Sequence, residues 1–456
     1  MLWRPKTGSG RPDLTEGSIL RALGVLAMPM LMGALLQNLQ SVIDLFWVGR
    51  LGPVAIAAVA MGGTVMMVLF PMLMGISTGT VAIIARAIGA GDRGEASAAA
   101  GQSLTLALVV GVISGMAGWG VSDALLRLLG ASPAVVADGG AYLRISLVGS
   151  FTAFMLFIAN AALQGAGDAM TPMLVMALAN VLNLVLDPLF IFGLGPVPRM
   201  GVQGAALATV LAQSIAALVS TWVLLRGKSS LHVRLTQCWP QLGMTWRILR
   251  IGIPGTGQML SRSLMGLVMM WIVATCGTAA VAAYGTGMRL HIMILMPAFA
   301  TGGAVATLVG QNLGAGKPDR ARLSGWLATW LNVAFMVLAA LVLAFFAPAI
   351  IGVFNNTPEV VQIGAHYLRI VSPFYVFAAL GIVLGRGLNG AGDTVAPMVF
   401  TIFSLWVLQV PLAIWLARVW QPATHGIWWA MVVGMVAHGL LVAVWFETGR
   451  WKHRRV

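Results

Sequence analysis

Apolar segments alternate with short polar segments along the whole chain. A helix needs about 20 apolar residues to cross roughly 30 Å of hydrocarbon, and on this measure the pattern predicts twelve transmembrane helices. The first follows a basic stretch, is too long for a signal-peptide core and lacks a small-residue cleavage site, so we expect it to remain in the mature protein. The predicted spans are residues 22–47, 54–78, 98–120, 140–163, 170–193, 202–225, 248–274, 281–308, 324–346, 366–385, 395–418 and 426–447.

Composition supports an all-α integral membrane protein. Hydrophobic residues make up 59% of the chain, charged residues only 9%, and the mean hydropathy is +0.91, whereas soluble domains carry about 25% charged residues. The net charge of +14 is spread over short clusters between apolar segments, which argues against a nucleic-acid partner. Cys238 and Cys276 are too few and too far apart to indicate a disulfide framework or a metal site.

The basic residues also predict the orientation of the chain. Loops on the side of the two termini hold 19 Lys and Arg residues, with Arg386 assigned to one of these loops, and loops on the opposite side hold 6. Because basic loops stay inside, we expect a multi-pass protein of the plasma membrane, the inner membrane in bacteria, with both termini cytoplasmic.

The chain repeats itself at an offset of 225 residues. The segment LQGAGDAMTPM at Leu163 returns as LNGAGDTVAPM at Leu388, and AYLRIS at Ala141 returns as HYLRIV at His366. Each half holds six predicted spans, so the halves have the same orientation and flank a central cleft, the expected substrate path. The predicted divisions are a six-helix bundle at 1–225, a cytoplasmic linker at 226–247 and a second six-helix bundle at 248–456.

Two of the 13 acidic residues, Asp44 and Asp187, lie well inside predicted spans. An ionised carboxylate in hydrocarbon is costly, so each is expected to face protein or a water-filled cavity. Asn183 and Asn180 precede Asp187 by four and seven residues and share its helix face, and Pro188 would free a backbone carbonyl beside it. Such a stripe suits a proton or a hydrated cation; the alternative is hydrogen bonding that holds helices together.

Other polar residues inside spans are candidates for the same site or for the cleft. On the fourth span, Asn160 and Tyr142 could approach Asp187. Arg262 is expected to face the cleft or a protein partner rather than lipid, where it could repel cationic substrates or select anionic ones. The candidates for the cleft wall are Gln37, Met259, Arg262 and Met288.

Three ordered motifs resemble the multidrug and toxic compound extrusion (MATE) family. They are MPMLMGALLQNLQSVIDLFWVGRLGPVAIAAV, then LQGAGDAMTPM with NVLNLVLDP after it, and VGQNLGAGKPDRA in the second half. The resemblance covers essentially the whole chain. It implies two six-helix bundles facing a central cleft, alternating access, and export of amphipathic, often cationic compounds in exchange for protons or sodium ions. It also implies a cation-responsive site formed by Asp44, Asn183 and Asp187 with Asn160, Tyr142 and Thr209.

The second half departs from one branch of that family. NorM-like relatives carry further carboxylates in the seventh and tenth helices, where this chain has Arg262 and Ala378. The chain therefore resembles the DinF-like branch. With acids confined to the first half, the residues favour protons as the coupling ion, although a sodium ion, which needs about five or six oxygen ligands, stays an alternative.

Other functional classes fit the sequence less well. No HExxH helix, GxSxG elbow or Cys/His cluster indicates an enzyme, and no ring of charges indicates a channel. A flippase for a lipid-linked substrate is the nearer alternative, because Arg262 and Arg289 would suit an anionic lipid. We expect no cofactor and no metal, small amphipathic molecules and membrane lipid as partners, and a monomer.

Overall fold

The computed structural model describes residues 13–193, 197–227, 231–454 and 456. Five basic residues of the orientation count, Arg4, Lys6, Arg11, Lys228 and Arg455, lie outside these ranges. The described residues form α-helices and no β-strand, as predicted. The helices are α1 (Ile19–Gly49), α2 (Pro53–Met66), α3 (Phe70–Gly89), α4 (Arg93–Leu128), α5 (Pro133–Val148), α6 (Ser150–Gly165), α7 (Met170–Phe192), α8 (Val202–Leu225), α9 (Leu242–Ala274), α10 (Thr278–Gly314), α11 (Pro318–Phe345), α12 (Ala347–Phe354), α13 (Pro358–Val371), α14 (Tyr375–Gly390), α15 (Val395–Ile402), α16 (Val410–Val419) and α17 (Ala423–Glu447).

The described helices include eleven stretches long and apolar enough to cross a membrane, and twelve if the bent pair α5 and α6 is one span. Helices α13 and α14 together form one of these stretches. A π-helical turn at Phe403–Gln409 joins α15 to α16, which together form another. Large apolar side chains such as Leu218 and Leu267, each 70% exposed, cover the outside. Such a surface suits lipid rather than water, which confirms the predicted membrane fold.

Several predicted spans are broken helices. The span expected at 54–78 is α2 followed by α3, which continues to Gly89. Pro71 lies in the first turn of α3, where its missing N–H breaks no helical hydrogen bond. The span expected at 140–163 consists of α5 and α6, which are bent by 42°. The hydrophobicity of the sequence indicates how long a membrane-spanning segment is, but it does not indicate where the helix within that segment is broken.

The sequence repeat is reproduced in the backbone. Gly167 ends α6 and its counterpart Gly392 ends α14, and both have φ +86°. Only glycine adopts this left-handed conformation without steric cost. The next residues close matching turns, with Asp168 N donating to Leu163 O at 2.8 Å and Asp393 N donating to Leu388 O at 2.9 Å.

Both described ends of the chain lie at one end of the molecule, which we call the terminal end. There, Asn312 Nδ2 donates to the carbonyl of Leu14 at 3.5 Å, and Lys452 Nζ pairs with Asp319 at 3.0 Å. We call the opposite end the far end.

The two halves contact each other closely at the terminal end. Gln311 Nε2 of α10 donates to Gly165 O of α6 at 3.0 Å, and Thr307 Oγ1 donates to Gln164 O at 3.1 Å. Gly89 of α3 packs directly on the backbone of Gln311. These contacts close the terminal end of the cleft.

The segment between the halves is held by a buried side chain of α4. Gln102 Nε2 donates to the carbonyls of Gln237 and Trp239 at 2.6 and 2.7 Å, and its Oε1 accepts from Gln241 N at 2.8 Å. Helix α9 then begins at Leu242, inside the predicted linker. The domain boundaries themselves stay a prediction.

Candidate functional site

Three polar side chains of α7 form one buried stripe. Asn180, Asn183 and Asp187 recur on one helix face and are 5%, 0% and 0% exposed. Asn180 Nδ2 donates to the carbonyl of Leu36 in α1 at 2.7 Å. Asn183 Nδ2 faces Asp187 Oδ1 at 3.3 Å and Thr209 Oγ1 of α8 at 3.4 Å. The stripe therefore joins α7 to α1 and α8.

A second carboxylate reaches this stripe from α1. The Asp44 carboxyl group interacts with Asp187 and with Asn183. Tyr142 of α5 lies near both carboxylates, and its ring packs on Gly62 of α2, where a Cβ would be 2.8 Å from Cε1. Asp44, Tyr142, Asn183, Asp187 and Thr209 thus form one cluster, the acid cluster.

The acid cluster and the neighbouring Asn180 hold acceptor oxygens that receive no hydrogen bond from the described residues. They are Asp44 Oδ1, Asp187 Oδ2, Asn180 Oδ1 and Asn183 Oδ1. No ion pair within the described part of the chain reaches Asp44 or Asp187. Two adjacent buried carboxylates repel each other when both are ionised, so a proton or a cation stabilises the pair.

Asn160 lies away from the acid cluster, although the sequence suggested that it could approach Asp187. Its Oδ1 accepts from Ser220 Oγ at 2.9 Å. Asn160 is five residues, about 8 Å, from the end of α6 at Gly165, whereas Asp187 is about 26 Å along α7 from Met170. Since α6 ends and α7 begins at the same end of the molecule, the two side chains lie at different depths.

A cavity of about 340 Å³ lies between the halves, with walls from α1, α3, α6, α7 and α8 on one side and α10 and α14 on the other. Gln37 lines it together with Gln40, Gln213 and Asn160. The acid cluster does not line it, but α1 contributes to both. The larger apolar side chains of the wall are Met30, Phe70, Leu73, Met74, Leu156, Phe157, Met173, Met176 and Phe299.

A smaller cavity of about 40 Å³ adjoins the first, on the side of the second half. Arg262 and Met259, two of the candidates for the cleft wall, line it. Met288 instead packs against the hydrophobic core of the second half. It precedes Phe299, a cavity residue of the same helix, by eleven residues, or about 16 Å, so it lies beyond the cavity.

Arg386 was assigned to a loop, and this assignment is wrong. The residue lies inside α14 and lines both cavities. The sequence repeat could have placed Arg386 inside a helix, because its equivalent Ala161, 225 residues earlier, falls inside a predicted span. Ala161 also lines the larger cavity.

The second half has no counterpart of the two carboxylates of the acid cluster. Met269, 1% exposed, stands at the position equivalent to Asp44, and Leu412 stands at that of Asp187. Across the described ranges, no group of three or more His, Cys, Asp or Glu residues is placed to hold a metal ion. Within the described residues, a buried pair of carboxylates like that of Asp44 and Asp187 is therefore a feature of the first half.

Two bundles around a shared cavity, with an uncompensated carboxylate pair in one of them, define a multi-pass membrane transporter. The MatE family model matches residues 29–189 and 254–415, one match in each half. The chain therefore belongs to the MatE family, as the sequence motifs indicated, and its substrates are small molecules.

Individual relatives agree with this assignment. The chain is 30% identical to "Probable multidrug resistance protein NorM" of Thermotoga maritima over 96% of its length and 94% of the relative. It is also 30% identical to "Probable multidrug resistance protein YpnP" of Bacillus subtilis, covering 96% and 97% of the two chains. The structure titled "Crystal structure of MATE in the bent conformation" matches with a TM-score of 0.89 at 28% identity, covering 95% and 96%. Such bacterial relatives indicate the inner membrane.

Proposed function

We propose that the protein is a secondary active antiporter that exports amphipathic small molecules in exchange for protons. The observation that carries this proposal is the carboxylate pair of Asp44 and Asp187, which is buried beside the cavity and has no counter-ion among the described residues. A group of this kind binds a proton in one conformation and releases it in another, because burial and charge repulsion change with the packing of α1 and α7.

Helix α1 couples the two sites physically. It carries Asp44 near its far end and Gln37 and Gln40 on the cavity wall, and it has Pro29 in its interior. Protonation of the pair removes the repulsion between α1 and α7, and the resulting movement of α1 reshapes the cavity. Exchange requires that proton and substrate prefer different conformations.

The choice of protons over sodium depends on the oxygen atoms near the pair. A dehydrated sodium ion would need about five or six oxygen ligands. Asn160 was among the expected contributors, but it bonds to Ser220 at another depth. One carboxylate is enough to carry a proton, so the acid cluster suits protons better.

We expect a pH gradient alone to drive transport. The purified protein is reconstituted in sodium-free liposomes with the membrane potential clamped, and entry or exit of two dyes with the same ring system, cationic rhodamine 6G and anionic fluorescein, is recorded. Movement of either dye that reverses with the pH gradient, and is absent from protein-free liposomes, is the expected result. Movement that requires a sodium gradient and ignores pH contradicts proton coupling.

We also propose that both termini are cytoplasmic, in which case the closed terminal end faces the cytoplasm and the structure represents an outward-facing state. The test uses a cysteine-free background, Cys238→Ser with Cys276→Ser, and single exposed cysteines at Thr236 and Ala134. A membrane-impermeant maleimide is expected to label Ala134→Cys in intact cells and Thr236→Cys only after permeabilisation. The reverse labelling pattern would invert the orientation.

The charge of the exported molecule is a separate question. The sequence resemblance implies substrates that are often cationic, whereas the charged side chains that line the two cavities are arginines.

A further inference from the structure

Two arginines of the second half line the cleft. Arg262 of α9 and Arg386 of α14 both line the smaller cavity, and Arg386 also lines the larger one. The two cavities share five wall residues, so they lie directly next to each other. The shared residues are Met74, Thr78, Phe299, Arg386 and Asn389.

Neither guanidinium group has a counter-ion among the described residues. Arg262 Nη2 contacts His438 Nε2 at 3.1 Å. A guanidinium group only donates hydrogen bonds, so Nε2 accepts, and His438 is neutral with its proton on Nδ1. Arg386 Nη2 meets only a weak acceptor, Met74 Sδ, at 4.0 Å. In the described part of the chain, no carboxylate lines either cavity, so both positive charges are uncompensated at the wall.

The arrangement around Arg262 is built by several helices. Thr401 Oγ1 lies 3.2 Å from His438 Nε2, and Gln258 Nε2 donates to Thr401 Oγ1 at 3.2 Å. Gly381 leaves room for the imidazole, because a Cβ there would overlap His438 Nδ1. These contacts fix the orientation of the imidazole ring, and so the position of Nε2, to which Arg262 donates.

A glycine also makes room for the side chain of Arg386. A Cβ on Gly302 of α10 would lie 2.9 Å from Arg386 Cγ, so the absence of a side chain at Gly302 lets the arginine stem pack against that helix. The head group is thereby directed along the cavity wall toward Met74 of the first half.

The repeat shows that these charges are particular to the second half. The equivalents of Arg262 and Arg386 are Gln37 and Ala161, which line the larger cavity from the first half. The equivalent of His438 is Gln213, also on that wall. The same positions are therefore neutral on one side of the cleft and doubly positive on the other.

We propose that Arg262 and Arg386 form a subsite for the anionic group, a carboxylate or a phosphate, of an amphipathic substrate. Arginine donates paired hydrogen bonds to carboxylates and to phosphates. The anionic group of the substrate supplies the negative charge that balances the two arginines. The apolar part of the molecule lies against Met74, Phe299 and the other methionine and aromatic side chains of the larger cavity. This assignment of a substrate class rests on the proposed exporter function.

Equilibrium binding tests the subsite without any ion gradient. Fluorescence anisotropy of fluorescein and of rhodamine 6G is measured with purified protein in neutral detergent. We expect saturable fluorescein binding that weakens at least tenfold in Arg262→Gln and in Arg386→Gln, and less in Arg262→Lys. Arg289→Gln, which changes an exposed arginine of α10 outside both cavities, is expected to bind fluorescein normally.

Competition distinguishes the sources of the anion. Displacement of fluorescein by phosphatidylglycerol but not by phosphatidylcholine assigns the subsite to an anionic lipid headgroup; resistance to both lipids assigns it to a free molecule. Either result supports an anion subsite. Tight binding of rhodamine 6G with none of fluorescein, or fluorescein binding that is unchanged in both glutamine variants, would overturn it.

Loss of fold and failure of the proposed function are recognised separately. Gel filtration and thermal unfolding show whether each glutamine variant is folded, and the lysine variant supplies a second test at Arg262. Asp187→Asn is expected to bind fluorescein while failing to transport it. Binding that depends on both arginines, combined with transport that ignores the pH gradient, would refute proton coupling and leave the anion subsite in place.

Discussion

Replacing Asp187 with asparagine is expected to reduce pH-driven transport to the level of protein-free liposomes. Asparagine has nearly the same shape and can still accept the hydrogen bond from Asn183, but it cannot take up and release a proton. The side chain is fully buried, so no solvent group replaces it. Transport is measured with the two dyes in sodium-free liposomes.

A matched control separates this effect from a general effect of the substitution. Asp138→Asn makes the same chemical change at an exposed position of α5 and is expected to leave transport unchanged. The folded state of Asp187→Asn should be retained within about 1 kcal/mol, since the variant removes a repulsion from the acid cluster. Undiminished pH-driven transport by Asp187→Asn would remove the acid cluster from the mechanism.

Gly314→Val is expected to prevent closure of the terminal end and to abolish transport. A Cβ on Gly314 of α10 would overlap the carbonyl oxygen of Arg86 and lie 2.8 Å from the backbone nitrogen of Ala90. Backbone atoms cannot rotate away as a side chain can, so α3 and α10 must separate. The equilibrium should then move toward conformations open at that end.

Labelling at Ala306, a buried residue of the larger cavity, measures this shift. In the cysteine-free background, Ala306→Cys in inside-out vesicles should react at least tenfold faster when Gly314→Val is present. Gly243→Val places the same side chain in α9, where no atom of a described neighbouring residue lies within 4 Å, and should change neither labelling nor transport. Normal transport and labelling in Gly314→Val would mean that this contact does not control access.

The sequence predicted the helical membrane fold well because burial in lipid requires long apolar segments. It also predicted the stripe of Asn180, Asn183 and Asp187, since residues on one helix obey a fixed period. The contact between Asp44 and Asp187 was expected only from the family resemblance. The spacing of residues along one helix does not determine which neighbouring helix packs against it.

The incorrect expectations have a common physical origin. The depth of Asn160 depends on where α6 ends, and the place of Met288 depends on how far the cavity extends along α10. Arg386 was assigned to a loop because a charged residue ended the apolar window, whereas the helix continues to Gly390. Local hydrophobicity records the average environment of a segment and not the cavity that one of its residues faces.

The asymmetry between the repeated halves has an evolutionary consequence. The carboxylates to which we assign proton exchange lie in the first half, and the described charged side chains of the cavity wall lie in the second, where Met269 and Leu412 stand at the positions of Asp44 and Asp187. After duplication, each copy was thus free to diverge under its own selection. Under the proposed assignments, substitutions at Arg262 and Arg386 would change the accepted substrate and leave the proton-exchanging carboxylates unchanged, so descendants of one ancestral exporter would acquire new substrates while keeping the same coupling ion.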